Sequence, residues 1–191
     1  MSTETSARIA PRKLSHVGIR TTRLAEMRDW YMTVLNAEIR KELPHGMVFM
    51  TYDDEHHRLV LVSMGAVERP KMGAGHDHLA FTYANLGDLI ATYERLKAAG
   101  ITPVTSVQHN LTTSFYYRDP DGNGVELEID NLDPSEWKEW MENMSAENPW
   151  GNEIDPEELA KRYHAGVPEK ELIAPQPLGP MPFGSIMKLY E

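Results

Sequence analysis

The sequence predicts an α+β fold: two tandem βαβββ modules, paired so that their strands form a cupped mixed sheet, followed by a C-terminal arm. Three observations carry this. The stretch "SHVGIRTTRLAEMRDWYMTVLNAEI" (15–39) lies on "DHLAFTYANLGDLIATYERLKAAGI" (77–101) without a gap. Both copies are followed by runs of β-like alternation broken by turn signals. Beyond Asn131 the composition turns acidic and proline-rich.

Within the repeat, His16 falls on His78, Leu24 on Leu86, Met27 on Leu89, Tyr31 on Tyr93, Val34 on Leu96 and Ile39 on Ile101. Each copy opens as a short strand and continues with apolar residues at helical spacing before a small residue ends the helix. Three further strands are then expected in each. These are "AEIRKEL", "GMVFMTYDD" and "HRLVLVSM" in the first copy, and "ITPVTSVQ", "TSFYYRDP" and "GVELEID" in the second. The frame that lays "FMTYDDEHHRLV" (49–60) on "FYYRDPDGNGVE" (115–126) is four residues out of step with the helix frame, which predicts a small insertion in a connecting loop. The organisation is therefore 12–64 as first module, 65–76 as a glycine-containing linker, 77–131 as second module and 132–191 as the arm. In the arm, "DPSEWKEWMENM" and "DPEELAKRYHAG" each read as a short helix opened by Asp-Pro. Pro175, Pro177, Pro180 and Pro182 exclude long regular structure near the end. Such an arm wraps its own domain or a neighbouring subunit, or stays partly unordered.

A net charge of −10 from 29 acidic and 19 basic residues argues against a nucleic-acid partner, whose phosphates call for clustered Lys and Arg. With no cysteine, thiolate chemistry and Cys-held metals are out, and any metal falls to His, Asp or Glu. No secretory h-region and no apolar run of about 18 residues is present, so a cytoplasmic protein without a membrane segment is expected.

Candidate chemistry begins with His16 and His78. One strand histidine is ordinarily a satisfied core or surface residue, but two at equivalent repeat positions point toward a shared metal site inside the cup. In the last strand of module two, Glu126 and Glu128 share a face, and either could be a solvent-facing carboxylate. In module one the place of Glu126 is taken by Val60, which binds no metal, so the set is one ligand short. Two histidines and one carboxylate with open positions is the pattern of a non-haem Fe(II) oxygenase, and Mn(II) would accept the same set. His57, His109 and Tyr116 add groups able to move or hold a proton.

These residues carry a resemblance. The segment "VQHNLTTSFYYRDPDGNGVE" (107–126) resembles the signature of type I extradiol dioxygenases in the vicinal oxygen chelate superfamily, which also holds glyoxalases and bleomycin-resistance proteins. "DEHHRLVL" is similar to the segment that carries the proton-handling histidine of the biphenyldiol-type enzymes, and "SHVGI" and "DHLAF" to the two metal-histidine strands. The resemblance spans about 12–131 and implies His16, His78 and Glu126 as Fe(II) ligands. It implies His57, His109 and Tyr116 as catalytic residues, and a catechol-type substrate opened with dioxygen. Unlike many biphenyldiol-type members, the chain has a single pair of modules, so the arm stands where a second pair would help build the pocket, as a lid or a contact within a homo-oligomer. Two other readings share the fold: a metal-dependent lyase or isomerase of glyoxalase or epimerase type, and a non-catalytic bleomycin-resistance-like binding protein.

Overall fold

The computed structural model describes residues 10–67 and 75–180, with 184, 187 and 188 beyond them. Most of the expected linker, 68–74, and Pro182 of the arm lie outside the described residues. The chain divides into two compact units, Met1–Glu68 and Arg69–Glu191.

The first unit runs β1 (Val17–Arg20), α1 (Leu24–Leu35), β2 (Glu38–Leu43), β3 (Met47–Thr51) and β4 (Leu59–Val62). Its sheet has the order β1-β4-β3-β2, with β1 parallel to β4 and the other pairs antiparallel. Alternation decides the faces. Val48 and Met50 of β3 and Leu59 and Leu61 of β4 are buried with Met27, Tyr31, Val34 and Leu35 of α1. Helix α1 stops at Asn36, whose left-handed φ of 49° is tolerated by an asparagine. Strand β2 is an exposed edge, charged and bulged between Ile39 and Lys41, which discourages further strand pairing.

The second unit repeats the pattern as β5 (His78–Thr82), α2 (Leu86–Ala98), β6 (Thr105–Gln108), β7 (Thr112–Arg118) and β8 (Gly124–Asp130). The arm adds α3 (Trp137–Glu142), β9 (Asn152–Glu153), α4 (Pro156–His164) and α5 (Glu169–Leu172). Sheet order is β5-β8-β7-β6-β9. The Asn85 side chain caps α2 by accepting from the Asp88 amide at 2.9 Å. The helix buries Leu86, Leu89, Ile90, Tyr93 and Leu96 on the sheet face that carries Phe115, Tyr117, Val125 and Leu127. That leaves the opposite face, with Tyr116 and Glu126, for chemistry.

Both βαβββ modules expected from the repeat are present, each with its own mixed sheet, and the α+β class is borne out. The connection from helix to second strand is residues 36–37 in the first unit and 99–104 in the second, which accounts for the four-residue slip. Gly18 lies across from Val60, and its repeat mate Ala80 across from Glu126, so Val60 does occupy the Glu126 position. One strand departs from the ungapped frame. Phe49 lies across from Val60, whereas Tyr116, not Phe115, lies across from Glu126, because the β7–β8 hairpin closes one residue sooner.

The arm differs from expectation in two places. The first Asp-Pro does not start α3. Asp133 Oδ1 instead accepts from the Ser135 amide at 2.9 Å and hydroxyl at 2.6 Å, making a turn ahead of a helix that begins at Trp137. The second behaves as expected, with Asp155 accepting from the Glu157 amide at 2.9 Å and Pro156 in the first turn. Strand β9 was not expected. It pairs with Val107 and Gln108 and covers the β6 edge of its own unit. Among the described residues, no helix is long and apolar enough to cross a membrane.

Candidate active site

In the second unit the site face is organised by a hairpin. Asp119, almost fully buried, accepts from the amides of Asp121 and Asn123 at 3.0 and 2.8 Å and from the Asn123 side chain at 2.7 Å. With Gly122 at a φ of 80°, this fixes the "DPDGN" turn and thereby the register that sets Tyr116 across from Glu126. Strand β5 brings in His78 parallel to β8 and opposite Gly124. A Cβ on Gly124 would lie 2.7 Å from the Asp77 carbonyl oxygen and 2.9 Å from the His78 Cβ, so the glycine is what lets His78 approach.

His78 Nε2 lies 2.9 Å from Glu126 Oε2, and its Nδ1 lies 2.7 Å from Asp77 Oδ2. Hydrogen bonding to Glu126 raises the His78 pKa to about 9 against the opposing effect of burial, with Asp77 adding to the rise. Glu126 is 5% exposed. Burial pushes its carboxyl up, but hydrogen bonds from His78 and Ser114 outweigh that and hold it below the ordinary range. A buried carboxylate aimed at one imidazole nitrogen, with a second carboxylate on the other nitrogen, is a donor set that suits a divalent cation. A cation would compete there with the proton that His78 and Glu126 share, and Asp77 fixes the orientation of the ring. Glu128 is set apart: it accepts from the Thr82 hydroxyl at 3.0 Å, and burial together with the Glu126 charge raises its pKa. Among the described residues, no three His, Asp or Glu side chains form one group able to hold a metal.

Tyr116 and His109 meet beside this pair, the hydroxyl 2.9 Å from His109 Nε2. His109 is placed by the β6–β7 turn, closed by its amide donating to the Thr112 carbonyl at 2.9 Å and by Asn110 at a φ of 67°. Burial lowers the His109 pKa and, aided by the Glu126 charge, raises that of Tyr116, so both are neutral near pH 7. Trp150, from the arm, stacks on Tyr116 with centroids 5.6 Å apart and meets His109 edge-on at 5.4 Å. Sequence reasoning missed Asp77, Ser114 and Trp150. The Asp-His pair at 77–78 is a readable signal; a lone "NPWGN" in the arm is not.

His16 and His57 lie in the first unit. Their rings are 4.4 Å apart, and Phe49 meets His57 edge-on at 5.2 Å. Arg58 ties this corner together, pairing with Asp53 at 2.8 Å and donating to the Leu14 and Ser15 carbonyls at 3.0 and 3.2 Å. Burial, then the His16 and His56 neighbours, lower the His57 pKa. Where the second unit has Glu126 and Tyr116, this one has Val60 and Phe49, so its counterparts of those two residues carry neither a carboxylate nor a hydroxyl. The structure thus assembles His78, Glu126, Tyr116 and His109 in one unit, and His16 with His57 in the other.

The family model of the Glyoxalase/Bleomycin resistance protein/Dioxygenase superfamily matches residues 13–127. The chain belongs to this superfamily. Biphenyl-2,3-diol 1,2-dioxygenase 2 of Rhodococcus globerulus is 44% identical over 160 residues, 82% of this chain and 84% of that protein. Biphenyl-2,3-diol 1,2-dioxygenase 3 of the same organism is 45% identical over 169 residues, 86% of this chain and 88% of that protein. Among superfamily structures, a glyoxalase/dioxygenase from Nostoc punctiforme matches with a TM-score of 0.54 at 19% identity, over 65% of this chain and 97% of that one. A lactoylglutathione lyase from Agrobacterium tumefaciens matches with 0.51 at 22% identity, over 62% and 94%. The two solved structures speak for the fold. The two Rhodococcus relatives bear out the resemblance to ring-cleaving dioxygenases drawn from the signature segment.

Proposed function

We propose that the chain is an Fe(II)-dependent extradiol dioxygenase that opens the ring of a catechol-type diol with dioxygen, both oxygen atoms entering the product. The observation that carries it is the buried Glu126 carboxylate, paired with His78 and beside the neutral Tyr116–His109 pair, in a chain 44% identical to a biphenyl-2,3-diol dioxygenase. His78 and Glu126 would hold the metal together with His16, the repeat mate of His78; Mn(II) suits the same donors. When bound, the metal supplies open positions for the diol and dioxygen and the electron exchange between them. The protein's part is protons and orientation. Tyr116 hydrogen-bonds a diol oxygen, and the proton a catechol gives up on binding passes by way of its hydroxyl to the neutral imidazole of His109, 2.9 Å away. His57, whose pKa burial lowers, takes up the diol's second proton and hands it back in the bond-breaking half of the reaction. A lyase site with four protein ligands would want a fourth where Val60 stands, and a metal-free binding module has no use for a buried carboxylate aimed at a histidine. Cytoplasmic residence and a homo-oligomeric state go with this reading on sequence grounds.

Labelled dioxygen tests it: both heavy atoms are expected in the ring-opened product, and label confined to water would rule ring cleavage out. Two variants probe the metal pair. Asp77→Asn is expected to weaken iron affinity about 10- to 100-fold, as loss of the carboxylate behind a ligating histidine generally does; unchanged affinity in a chelator titration would separate His78 from the metal. Gly124→Val drives side-chain atoms into Asp77 and His78 and is expected to lose bound iron with the sheet retained. Full iron content by elemental analysis would contradict that.

A further inference from the structure

The end of the arm grips the turn that carries His109, a contact the proposed chemistry leaves unexplained. Residues 173–179 follow α5 as a strap without regular structure, and Pro175 and Pro177 leave it too few amide hydrogens for a strand ladder. Side-chain amides hold it instead. Gln108 Nε2 donates to the Ile173 carbonyl at 3.2 Å. Asn110 makes a two-point contact with the main chain of Gln176, donating to its carbonyl and accepting from its amide, both at 2.9 Å. Farther along, Asn152 donates to the Pro177 carbonyl at 3.0 Å and accepts from the Gly179 amide at 2.9 Å, and Asn148 donates to the Gly179 carbonyl at 2.9 Å.

Gln108 and Asn110 are the two chain neighbours of His109, and both are buried. Gln108 is fixed at both ends of its amide: Oε1 accepts from the Asn110 amide at 3.0 Å and the Asn131 side chain at 2.7 Å, while Nε2 goes to the strap. The corner at 148–151 closes on the same turn. Gly151 has a φ of 107°, and a Cβ there would lie 2.3 Å from the Gln108 carbonyl oxygen and 2.9 Å from the His109 Cα. Only glycine permits that approach of one main chain to another. Asn148, 3% exposed, shapes the corner by accepting from the Trp150 and Gly151 amides at 3.1 and 2.9 Å.

Little of the strap is buried. Pro175, Gln176, Pro177 and Gly179 are exposed, so hydrophobic burial contributes little there and what the strap supplies is orientation. Its bonds land on both chain neighbours of His109 and on the corner that closes over the His109 backbone. We propose that Asn110 is a positioning residue: through it the strap fixes the β6–β7 turn, so that the His109 ring stays 2.9 Å from the Tyr116 hydroxyl. A turn without that brace would keep the ring in the site and lose the distance at which the two groups act together. The kinetic consequence rests on the ring-cleavage reading; the placement of the turn does not.

Asn110→Gly deletes the side chain and accepts the left-handed backbone, with its φ of 67°, at no steric cost. Gln176→Pro deletes the strap amide that meets Asn110, and Gln176→Ala keeps it. In the metal-free full chain, hydrogen exchange is read at the His109 amide, which donates to the Thr112 carbonyl at 2.9 Å. It is expected to quicken about tenfold or more in Asn110→Gly and Gln176→Pro while the β8 amides keep their protection. In the iron-loaded protein, kcat per bound iron is expected to fall about tenfold or more in both, with KM within about threefold. The double variant should fall no further, and Gln176→Ala should recover the loss. Wild-type kcat per bound iron in Asn110→Gly, unchanged exchange at His109, or a loss that only tracks iron content and exchange across the whole sheet overturns the proposal. If Asn110→Gly does not fold, the Gln176 pair decides. If the wild type binds iron and opens no catechol, the dioxygenase reading fails and exchange at His109 still decides the positioning role.

Discussion

Glu126→Ala is expected to abolish iron binding and turnover together, the larger of two effects the site predicts. Its carboxylate is the buried anion of the second unit's site face, with His78 Nε2 2.9 Å from it, and His78 and Ser114 hold its pKa below the ordinary range. Removing it leaves the cation a histidine without its buried carboxylate. The fold should survive. His78 is about a third exposed and can give up its proton, the Tyr116 hydroxyl keeps His109 at 2.9 Å, and the Ser114 hydroxyl keeps Thr112 at 3.1 Å. A thermal melt and an iron assay on the same sample separate the two consequences. Stoichiometric iron in a folded Glu126→Ala protein would remove Glu126 from the ligand set.

His57→Phe is expected to do the reverse, keeping iron and losing turnover. Phenylalanine preserves the ring contacts with His16 and Phe49 and removes only the nitrogens, so the corner tied by Arg58 should hold. A positioned proton donor contributes about 10²- to 10⁴-fold, and kcat should fall by that order with substrate binding little changed. Loss of iron instead would make His57 a ligand and change the proposed set.

Much of this was legible in the sequence because the repeat could be compared with itself. His16 on His78 marked two strand starts, and Val60 on Glu126 marked an asymmetric pair of last strands; the registers Gly18 to Val60 and Ala80 to Glu126 agree. The helices followed from apolar spacing, and Asp155–Pro156 from capping chemistry. The failures share a cause. Strand β9 is two residues long and exists only by pairing with Val107 and Gln108, more than 40 positions away, so no local pattern announces it. Trp150 reaches Tyr116 by that pairing and by the passage Gly151 allows, both tertiary. The one-residue slip that puts Phe49 in the place of Tyr116 lies in hairpin length, which an ungapped alignment does not see. At Asp133, a local hydroxyl and amide competed with the helix and won.

The central claim is that the site opens catechols with dioxygen on a bound metal. The most direct measurement is oxygen consumption by protein reconstituted with Fe(II) under anaerobic conditions, followed across a panel of catechols with absorbance of the product recorded in parallel. Oxygen uptake matched mole for mole by a ring-opened product, and absent in the Glu126→Ala protein, is the predicted result. Full iron occupancy with no uptake on any catechol would contradict it.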